Sequence, residues 1–472
     1  SRVAFLADGP ALVVPASQTA TVNEDNIFDL LTHGTSPDFF GGTDLLGAAY
    51  TTGSLSGLVN FGADGKGSFS FVTGGELSSA LASLNALGLT SHGNDLHFAI
   101  ATSGPFAGDL VATTGSGQNT HVILDLHVSS NGNYIVQLFD AIDHDTPPTG
   151  TADENTTLQD NGVNSSHDTI NFGALIQATD GDGDHVTLDG AFKVTIIDDV
   201  PQVSLSTNPL SYVGIDESAG SQDGFLGLPP NDTTSSTVRG YFAAFEAAHA
   251  GNDLGNDTDI AHAVAGSPAI AYAHGSLPVV IPLINAGADG VASVVYSLQA
   301  ASAGVYSGVQ TTDGHNIYLY EDAATGLIVG RVGDAGGADD HGAIAFAIAI
   351  EQNGDIDIAQ YLSLKEFNTN SNNETVSLAD GAIKAVVTVT DGDGDVASDT
   401  ANIGSHILFY DDGPTLIVGA KITAAVDEDG LSWANKDVPL LPGEVTGTGS
   451  ATANSAAFGS LATLINFGAD GL

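Results

Sequence analysis

The hexapeptide TDGDGD occurs twice in this chain, at 179–184 and at 390–395, and constrains the fold more than any other feature. Each copy is followed by two aspartates and a nearby proline, as DDVP at 198–201 and as DDGP at 411–414. Glycine between the aspartates lets the backbone turn tightly, so alternate carboxylates can converge on one point. Such a loop is poorly suited to a hydrophobic core and well suited to surrounding a hard cation. The duplication predicts tandem modules with acidic loops.

Other landmarks recur in the same order, as expected for a repeat architecture. They are the acidic starts NED (23–25), DES (216–218) and DED (427–429), the turns NFGADG (60–65), NAGADG (285–290) and NFGADG (466–471), and Asn-Gly pairs at 131–132 and 353–354. FLADGP at 5–10 matches the later motifs that end in proline. We therefore expect a window of a longer array. Its predicted parts are the last strand of a preceding module (1–12), module one (13–201), module two (202–414) and the start of a third (415–472).

Module two is predicted to contain an insertion. Glu24 and Gly62 are 38 positions apart, whereas Glu217 and Gly287 are 70 apart, which places roughly thirty extra residues within 225–275. Two phenylalanines three positions apart in the segment 241–250 predict one short helix there. Insertions on a rigid scaffold often carry function, so a binding site and a surface elaboration are both open.

Elsewhere the hydrophobic pattern has a period of two, which is typical of strands. In 121–128, Val122, Leu124, Leu126 and Val128 face one way, and in 343–350 larger residues alternate with four alanines. Each run leads to an Asn-Gly pair, which predicts a hairpin with a type I′ turn. We expect an all-β fold of tandem Ig-like or cadherin-like antiparallel β-sandwich modules. The alanine face is expected to lie under a loop or against a neighbour.

The charge of the chain limits the classes of partner that it can bind. There are 57 acidic residues against 9 basic ones, and 46 of the acids are Asp, which favours turns over helices. A net charge of -48 argues against nucleic acid and against anionic membrane surfaces. Two carboxylates about 6 Å apart repel by roughly 3 kcal/mol at an effective dielectric of 20. Clustered aspartates should therefore destabilise the fold unless a divalent cation is present.

Export and membrane signals are few. The chain has no cysteine, so disulfides are excluded as a source of rigidity. Its longest apolar run, 343–350, is too short to span a bilayer, so we expect no membrane insertion. The first ten residues contain no recognisable signal peptide, which leaves cytoplasmic residence or export by a route read elsewhere on a longer chain.

Calcium ligands are the predicted role of the acidic motifs. The EF-hand is excluded, because its glycine and glutamate positions are His185 and Ala191 when counted from Asp180. We predict calcium sites in polar loops and linkers instead, where proline stiffens the connection and the ion ties successive modules together. Solvated acidic loops are the alternative. The candidate ligands are Asp180, Asp182, Asp184, Asp189, Asp198, Asp199, Asp391, Asp393, Asp395, Asp399, Asp411, Asp412, Glu24, Glu217 and Glu428.

Two weaker signals stay open. The GADG segments, with Asp64, Asp289 and Asp470, can be tight turns or can supply ligands. The triplet Asp143–His144–Asp145 can be a local hydrogen-bonding feature or can bind a cation. Neither HExxH, G-x-S-x-G nor a P-loop occurs, so we do not expect an enzyme, and a secreted hydrolase is the least favoured alternative.

The acidic starts, YIVQLFDAIDHD at 134–145, TDGDGD and VTIIDDVP at 194–201 together resemble the tandem repeats of giant type I-secreted bacterial adhesins of the RTX and VCBS-like kind. The resemblance implies export of an unfolded chain by a type I system, with calcium-dependent folding at the bacterial cell surface or in a biofilm. It implies a calcium-rigidified spacer of an adhesin or extracellular fibre. The implied partners are neighbouring modules of the same chain, further copies in a filament, or a glycan or cell-surface ligand bound by the insertion.

Overall fold

The computed structural model describes residues 8–27, 42–43, 47–145, 155–159, 167–218, 222, 224, 229–251, 253–255, 266–366, 374–422 and 460–468. Contacts between these residues divide the chain into two compact units. Unit 1 comprises Ser1–Leu205, Pro282–Val295 and Val387–Asp399, and unit 2 comprises Ser206–Ile281, Tyr296–Val386 and Thr400–Leu472. Each unit is therefore built from stretches that are distant in sequence.

Strands dominate the first part of the described chain. They are β1 Ala11–Leu12, β2 Gln18–Asn23, β3 Gly42–Thr43, β4 Ala49–Ser54, β5 Val59–Asn60, β6 Lys66–Phe71, β7 Thr90–Ser91, β8 Asn94–Asp95, β9 His97–Ile100, β10 Leu110–Thr114, β11 His121–Val128, β12 Asn133–Leu138, β13 Ile170–Asn171, β14 Ile176–Asp180, β15 His185–Thr187 and β16 Phe192–Ile197. One helix, α1, spans Gly74–Asn85.

The remaining strands follow the same pattern. They are β17 Gln202–Thr207, β18 Val213–Asp216, β19 Ala271–His274, β20 Val280–Asn285, β21 Val291–Ala300, β22 Val305–Gln310, β23 Asn316–Glu321, β24 Ile328–Val332, β25 Ile344–Ile350, β26 Ile356–Gln360, β27 Thr375–Ser377, β28 Ile383–Asp391, β29 Val396–Asn402, β30 Ile407–Tyr410, β31 Thr415–Leu416 and β32 Ile465–Asn466. A second helix, α2, spans Ser236–Ala248.

Unit 1 is a β-sandwich. A six-stranded sheet has the order β3-β4-β12-β11-β10-β9, and two three-stranded sheets have the orders β13-β16-β2 and β15-β14-β6. Leu124 and Val136 of the larger sheet share one hydrophobic cluster with Phe192 and Ile176 of the smaller sheets. Alternation along the strands produces this core, because every second side chain points to the same face. The predicted all-β sandwich fold is confirmed.

Both predicted Asn-Gly hairpins are present, but their turn type is not the predicted one. β11 pairs with β12 and β25 with β26, both antiparallel. Gly132 and Gly354 have φ of 88° and 89°. Among the described residues His92 is the one non-glycine with positive φ, so Asn131 and Asn353 do not adopt the φ that a type I′ turn requires. In each turn a single glycine takes the left-handed conformation.

The described strands of each unit include a parallel pair that the sequence did not predict. In unit 1, β2 lies parallel to β16, with Asn23 opposite Ile197. In unit 2, β18 lies parallel to β30, with Asp216 opposite Tyr410. An acidic start and a DD-x-P motif therefore leave the sheet at the same end. This register is what positions the candidate site.

Unit 2 has a six-stranded sheet, β19-β26-β25-β24-β23-β22, and a smaller sheet, β18-β30-β27. The predicted helix in the insertion exists but begins five residues earlier than expected, at Ser236, after an N-cap in which Ser235 Oγ accepts from Thr237 N at 3.2 Å. Phe242 and Phe245 of α2 form one buried cluster with the alanines of β25 and β26. The alanine face is therefore covered by the insertion.

Other parts of the sequence predictions lie outside the described residues. These include 1–7 and the third acidic start at 427–429, together with 225–228, 252 and 256–265 of the insertion. The module limits stay predictions. In the described part of the chain, neither helix is long and apolar enough to cross a membrane.

Candidate metal centre

The parallel pair of unit 1 places two acidic residues side by side. Asn23 and Ile197 are partners at the ends of β2 and β16, and the next residues are Glu24 and Asp198. Glu24 opens a 3₁₀ turn of Glu24–Asn26, capped by Asn23, whose Oδ1 accepts from Asp25 N at 2.9 Å. One carboxylate oxygen of Glu24, Oε1, accepts from Ile142 N at 2.9 Å. The fully buried Glu24 is thus fixed by backbone contacts.

His144 joins this pair. Its Nδ1 lies 3.4 Å from Asp198 Oδ1, and one donor atom each from Glu24, His144 and Asp198 fall within 4.8 Å of one another. The backbone nitrogen of His144 donates to Asp393 Oδ2 at 3.1 Å. Burial lowers the pKa of the imidazole, which favours its neutral form. His144 therefore does not supply a positive charge that would neutralise the neighbouring carboxylates.

The second TDGDGD loop brings further carboxylates to the same place. Asp391 ends β28 and organises the loop, because its Oδ1 accepts from Gly394 N at 3.1 Å and from Asp395 N at 2.7 Å. Gly394 has a φ of 111°, which glycine adopts without strain. The other oxygen, Asp391 Oδ2, is buried and has no hydrogen-bond partner. Asp393 forms a second group with Asp198 and Asp289, again within 4.8 Å.

Asp289 shows that the GADG segment is both a turn and a source of carboxylate. Gly287 and Gly290 have φ of 74° and 72°, as a tight turn requires. Both carboxylate oxygens of the buried Asp289 lack hydrogen-bond partners. The loop at Gly392 sits directly on this residue, since a Cβ there would lie 2.5 Å from Asp289 O. Sequence alone could not decide between the two interpretations.

The linker aspartate Asp199 holds the GADG turn in place. Its Oδ2 accepts from Ala288 N at 2.8 Å, and a Cβ on Gly287 would lie 2.8 Å from its carboxylate. Together these contacts define the unit 1 acidic cluster: Glu24, Asp143, His144, Asp198, Asp199, Asp289, Asp391, Asp393 and Asp395. Asp393 is half-buried and the other members are buried.

Four carboxylates of the unit 1 acidic cluster, those of Glu24, Asp198, Asp289 and Asp391, have raised pKa values. Burial, followed by the charges of Asp393 and Asp289, raises the pKa of Asp198 to about 11. Burial with Asp393 and Asp391 raises the pKa of Asp289 to about 9, and burial with Asp393 raises that of Asp391 to about 8. The pKa of Glu24 is also raised well above its usual value, mainly by burial and then by Asp289. Such a cluster needs protons or a cation.

The first TDGDGD loop repeats this local design. Asp180 Oδ1 accepts from Gly183 N at 3.1 Å and from Asp184 N at 2.9 Å, and its Oδ2 is buried without a partner. The carboxylates of Asp180 and Asp182 group with that of Asp64, within 4.8 Å. The sequence predicts that Asp184 converges with Asp180 and Asp182. In the structure Asp184 lies beside Gly9, and a Cβ built on Gly9 would be 3.5 Å from Asp184 Cβ.

Two other predicted ligands have different surroundings. Asp189 Oδ1 accepts from Asn171 Nδ2 at 2.7 Å beside a cleft next to α1. Asp399 Oδ2 accepts from Leu205 N at 2.8 Å. The donors of these two hydrogen bonds, Asn171 and Leu205, lie outside the TDGDGD loops. Their role as ligands stays a prediction.

Unit 2 contains a partial counterpart. Glu217 follows the parallel pair of β18 and β30, and its Oε1 accepts from Leu364 N at 2.8 Å, as Glu24 accepts from Ile142. Asp411 follows β30 directly, and a Cβ on Gly468 would lie 2.2 Å from Asp412 Oδ1. Lys365 and Glu366 follow Leu364, where Asp143 and His144 follow Ile142. The predicted ligand Glu428 lies outside the described residues.

Known families and solved structures are similar to this chain only over part of its length or only weakly. A family model described as a domain of unknown function, DUF5801, matches residues 212–404. A search of curated proteins found no match. A solved structure described as PcdhgB3 EC1-4 is 11% identical, with 85% of this chain and 76% of that chain covered and a TM-score of 0.16. A tetra-tandem repeat from the extending region of a large adhesion protein is 10% identical, with 88% and 78% covered and a TM-score of 0.10. TM-scores this low do not establish a shared fold.

Proposed function

We propose that the unit 1 acidic cluster binds calcium. The observation that carries this proposal is a set of buried carboxylate oxygens without hydrogen-bond partners: Glu24 Oε2, Asp289 Oδ1, Asp289 Oδ2 and Asp391 Oδ2. A buried polar atom without a partner costs about 1–3 kcal/mol, and more when it is charged. Nearly all the donors are oxygens, which suits a hard cation such as Ca²⁺ better than a transition metal. The donor set therefore fits calcium.

The residues that would hold the ion are Glu24, Asp198, Asp199, Asp289, Asp391, Asp393 and Asp395. When bound, calcium supplies the positive charge that allows these carboxylates to ionise together. Extracellular calcium modules bind at about 10⁻⁴ to 10⁻³ M, and a hundredfold excess over the dissociation constant adds about 2.7 kcal/mol of stability per site. Because the cluster joins residues 24–199 to 289 and 391–395, the ion would tie predicted module one to predicted module two.

Two further calcium sites are proposed by analogy within the chain. One uses Asp64, Asp180 and Asp182, with Asp8 and Asp184 in the neighbouring turns. The other uses Glu217, Asp411 and Asp412, with Glu428 as a candidate from the third predicted module. Asp189 and Asp399 stay predicted ligands outside these two sites, with carboxylates that accept hydrogen bonds from Asn171 and Leu205.

We infer from the repeated sites a structural role: a calcium-rigidified spacer of a secreted bacterial surface adhesin or extracellular fibre. The tandem landmarks, the lack of cysteine and the acidic loops support this role, as does the resemblance of the motifs to type I-secreted adhesin repeats. The modules on either side in the same chain are the proposed partners, and filament contacts with other copies are a further possibility. No catalytic role is proposed.

Hydrogen exchange of the full chain tests the calcium cluster. In calcium, the amides of Gly394 and Asp395, which donate to Asp391, and the amide of Ala288, which donates to Asp199, should exchange slowly. With a chelator, repulsion between the carboxylates should open these loops and speed exchange. The exposed helix residues Ser78 and Ser79 serve as an internal control and should not change. Equal protection in both conditions at 287–290 and 391–395 would contradict the proposal.

Small-angle scattering tests the spacer role separately. A calcium-rigidified spacer should scatter as a single well-defined particle in calcium and should become more flexible on chelation. If chelation changes hydrogen exchange but leaves the scattering profile unchanged, calcium binding would stand. The proposal that calcium stiffens the chain would then be rejected.

A second candidate function is binding through the insertion. A cleft of about 350 Å³ beside α2 is lined by polar groups, including Arg239, Glu246 and Ser267. Glu246 Oε1 accepts from Tyr272 at 2.6 Å and from Tyr361 at 3.2 Å, so this end of the cleft is ordered. A glycan array compares the wild-type chain with Arg239→Ala. Binding that is lost in the variant supports this function, and an array without signal contradicts it.

A further inference from the structure

A separate group of metal-ligating side chains lies in unit 2. His274 at the end of β19 lies opposite Asp357 of β26 in antiparallel register, and Ala349 of β25 lies opposite Asp357 from the other side. Glu351 is two positions beyond Ala349, so its side chain belongs to the same face. This face carries the alanines that α2 covers. Three adjacent strands therefore bring His274, Glu351 and Asp357 together.

The distances within this group suit a shared ion. His274 Nδ1 lies 2.8 Å from Asp357 Oδ1 and 3.6 Å from Glu351 Oε1, and one donor atom from each residue falls within 4.8 Å. Two ligand atoms that are each about 2.0–2.2 Å from one metal ion are separated by about 3–3.5 Å at octahedral or tetrahedral angles. The observed spacing is close to that range.

Hydrogen bonding alone leaves the group unsatisfied. One imidazole nitrogen donates at most one proton, which Asp357 Oδ1 receives in the closest contact. Asp357 is fully buried, yet its Oδ2 has no hydrogen-bond partner. Glu351 adds a second carboxylate, so two acids face a single imidazole. Burial raises the pKa of Asp357 to about 7, as expected for a carboxylate that lacks enough positive charge.

We propose that His274, Glu351 and Asp357 bind a divalent transition metal ion such as Zn²⁺. One imidazole nitrogen with two carboxylates suits zinc, manganese or iron, whereas calcium prefers sites made of oxygens. The side chains of His274 and Glu351 are 36% and 20% exposed, so the ion can enter from solvent. Three protein ligands leave a coordination position open to water or to an external group. This site is independent of the calcium cluster.

The proposed metal ion would lie beside the packing of the insertion on the sheet. The metal would link β19, β25 and β26 at the rim of the face on which Phe242 and Phe245 pack. No local sequence pattern indicates this group, because His274 and Asp357 are 83 positions apart and match no metal-binding motif. Only the strand register brings them together.

Titration of the full chain in excess calcium tests the proposal. Zn²⁺ is titrated by calorimetry, and Co²⁺ by visible absorption, which reports the coordination geometry of the bound ion and its change when a ligand is lost. The wild-type chain should bind one zinc equivalent that His274→Gln and Asp357→Asn lose, with affinity reduced more than about tenfold. His127→Gln is the matched control, because it removes an exposed His–Asp pair at 2.7 Å in unit 1 and should keep that equivalent.

Thermal unfolding of each variant in calcium shows whether it is folded. Glu351→Gln provides a third variant, at a ligand that is more exposed than Asp357. The proposal is overturned if the folded variants bind the same number of zinc ions with the same affinity as the wild type. It is also overturned if the cobalt spectrum does not change in His274→Gln. The proposal is also contradicted if His127→Gln loses the zinc equivalent and the other variants keep it.

Discussion

Asp199 accepts a hydrogen bond from the backbone nitrogen of Ala288 through Oδ2, at a distance of 2.8 Å. Asp8 makes the corresponding bond to Ala63 N at 3.2 Å. In both places an aspartate two positions before a proline holds a Gly-Ala-Asp-Gly turn. The turn then presents its own aspartate, Asp289 or Asp64, to a TDGDGD loop. The aspartate before the proline, the GADG turn and the TDGDGD loop are far apart in sequence, yet together they form one site. The same arrangement occurs at Asp8 and at Asp199.

Asp289→Asn should change stability in opposite directions with and without calcium. In chelator at a pH above about 9, where Asp289 is ionised, the variant should melt higher than the wild type, because one buried charge is removed from a repelling group. In calcium it should melt lower, by roughly 5–10 °C, because most of about 2.7 kcal/mol of binding energy is lost. Calorimetry in both buffers measures this. Asp95→Asn, at an exposed site in β8, is the control and should shift neither midpoint.

Gly392→Ala should weaken calcium binding without removing a ligand. A Cβ at this position would lie 2.5 Å from the backbone oxygen of Asp289, so the turn must move away from the TDGDGD loop. We expect a loss of about 1–3 kcal/mol in stability together with weaker calcium affinity. Gly57→Ala is the control, since its Cβ would meet nothing within 4 Å. Equal calcium affinities for the two variants would contradict the assigned packing.

The sequence predicted the fold class well, for a clear reason. Alternating residues in 121–128 and 343–350 and the Asn-Gly pairs are local signals, and local signals determine strands and hairpins. Turn type was predicted less well, because only one residue of each Asn-Gly pair takes positive φ. The parallel pairing of β2 with β16 depends on contacts across more than 170 positions, which no local pattern encodes.

The site could be predicted only in part. TDGDGD predicts that alternate aspartates converge, and in the structure Asp391 and Asp180 each accept two backbone hydrogen bonds within their loops. The strand register explains why Glu24 and Asp198 meet, and it was not visible in the sequence. Asp189 and Asp399 stay predicted ligands, and in the structure their carboxylates accept hydrogen bonds from Asn171 and Leu205. Asp143 and His144 were noticed, but their role depended on the fold.

Calcium binding near neutral pH should release protons. The pKa of Asp289 is raised to about 9, that of Asp391 to about 8 and that of Asp198 to about 11, so the metal-free cluster holds protons that calcium displaces. Calorimetric titrations in buffers with different ionisation enthalpies should give different apparent heats, and their slope counts the protons. Identical heats in all buffers would mean that the carboxylates are already ionised.

The stability of the metal-free chain should fall as pH rises. For Asp289 and Asp391 the folded pKa exceeds the ordinary value of 3.8, so the folded state holds more protons than the unfolded state. Their contribution is fully present below pH 3.8 and is lost as pH rises through about 8 to 9. Urea unfolding in chelator across this range measures the trend. Excess calcium should remove the decline.

Phe242→Ala should destabilise unit 2 by about 3–5 kcal/mol, because a fully buried aromatic side chain is lost from the contact between α2 and the alanine face. Leu210→Ala, at a residue that is 75% exposed, should cost little and serves as the control. Denaturant unfolding compares the two. Similar midpoints would show that the insertion contributes no packing energy and would remove the structural explanation of the alanine pattern.

Thermal unfolding of the full chain in millimolar calcium and in excess chelator tests the central claim most directly. If calcium neutralises the unit 1 acidic cluster, chelation should lower the unfolding midpoint by roughly 5–10 °C, since one site contributes about 2.7 kcal/mol at saturation. Magnesium at the same concentration should restore less of the loss, because it demands a smaller octahedral site. A midpoint that is the same in calcium and in chelator would contradict the account.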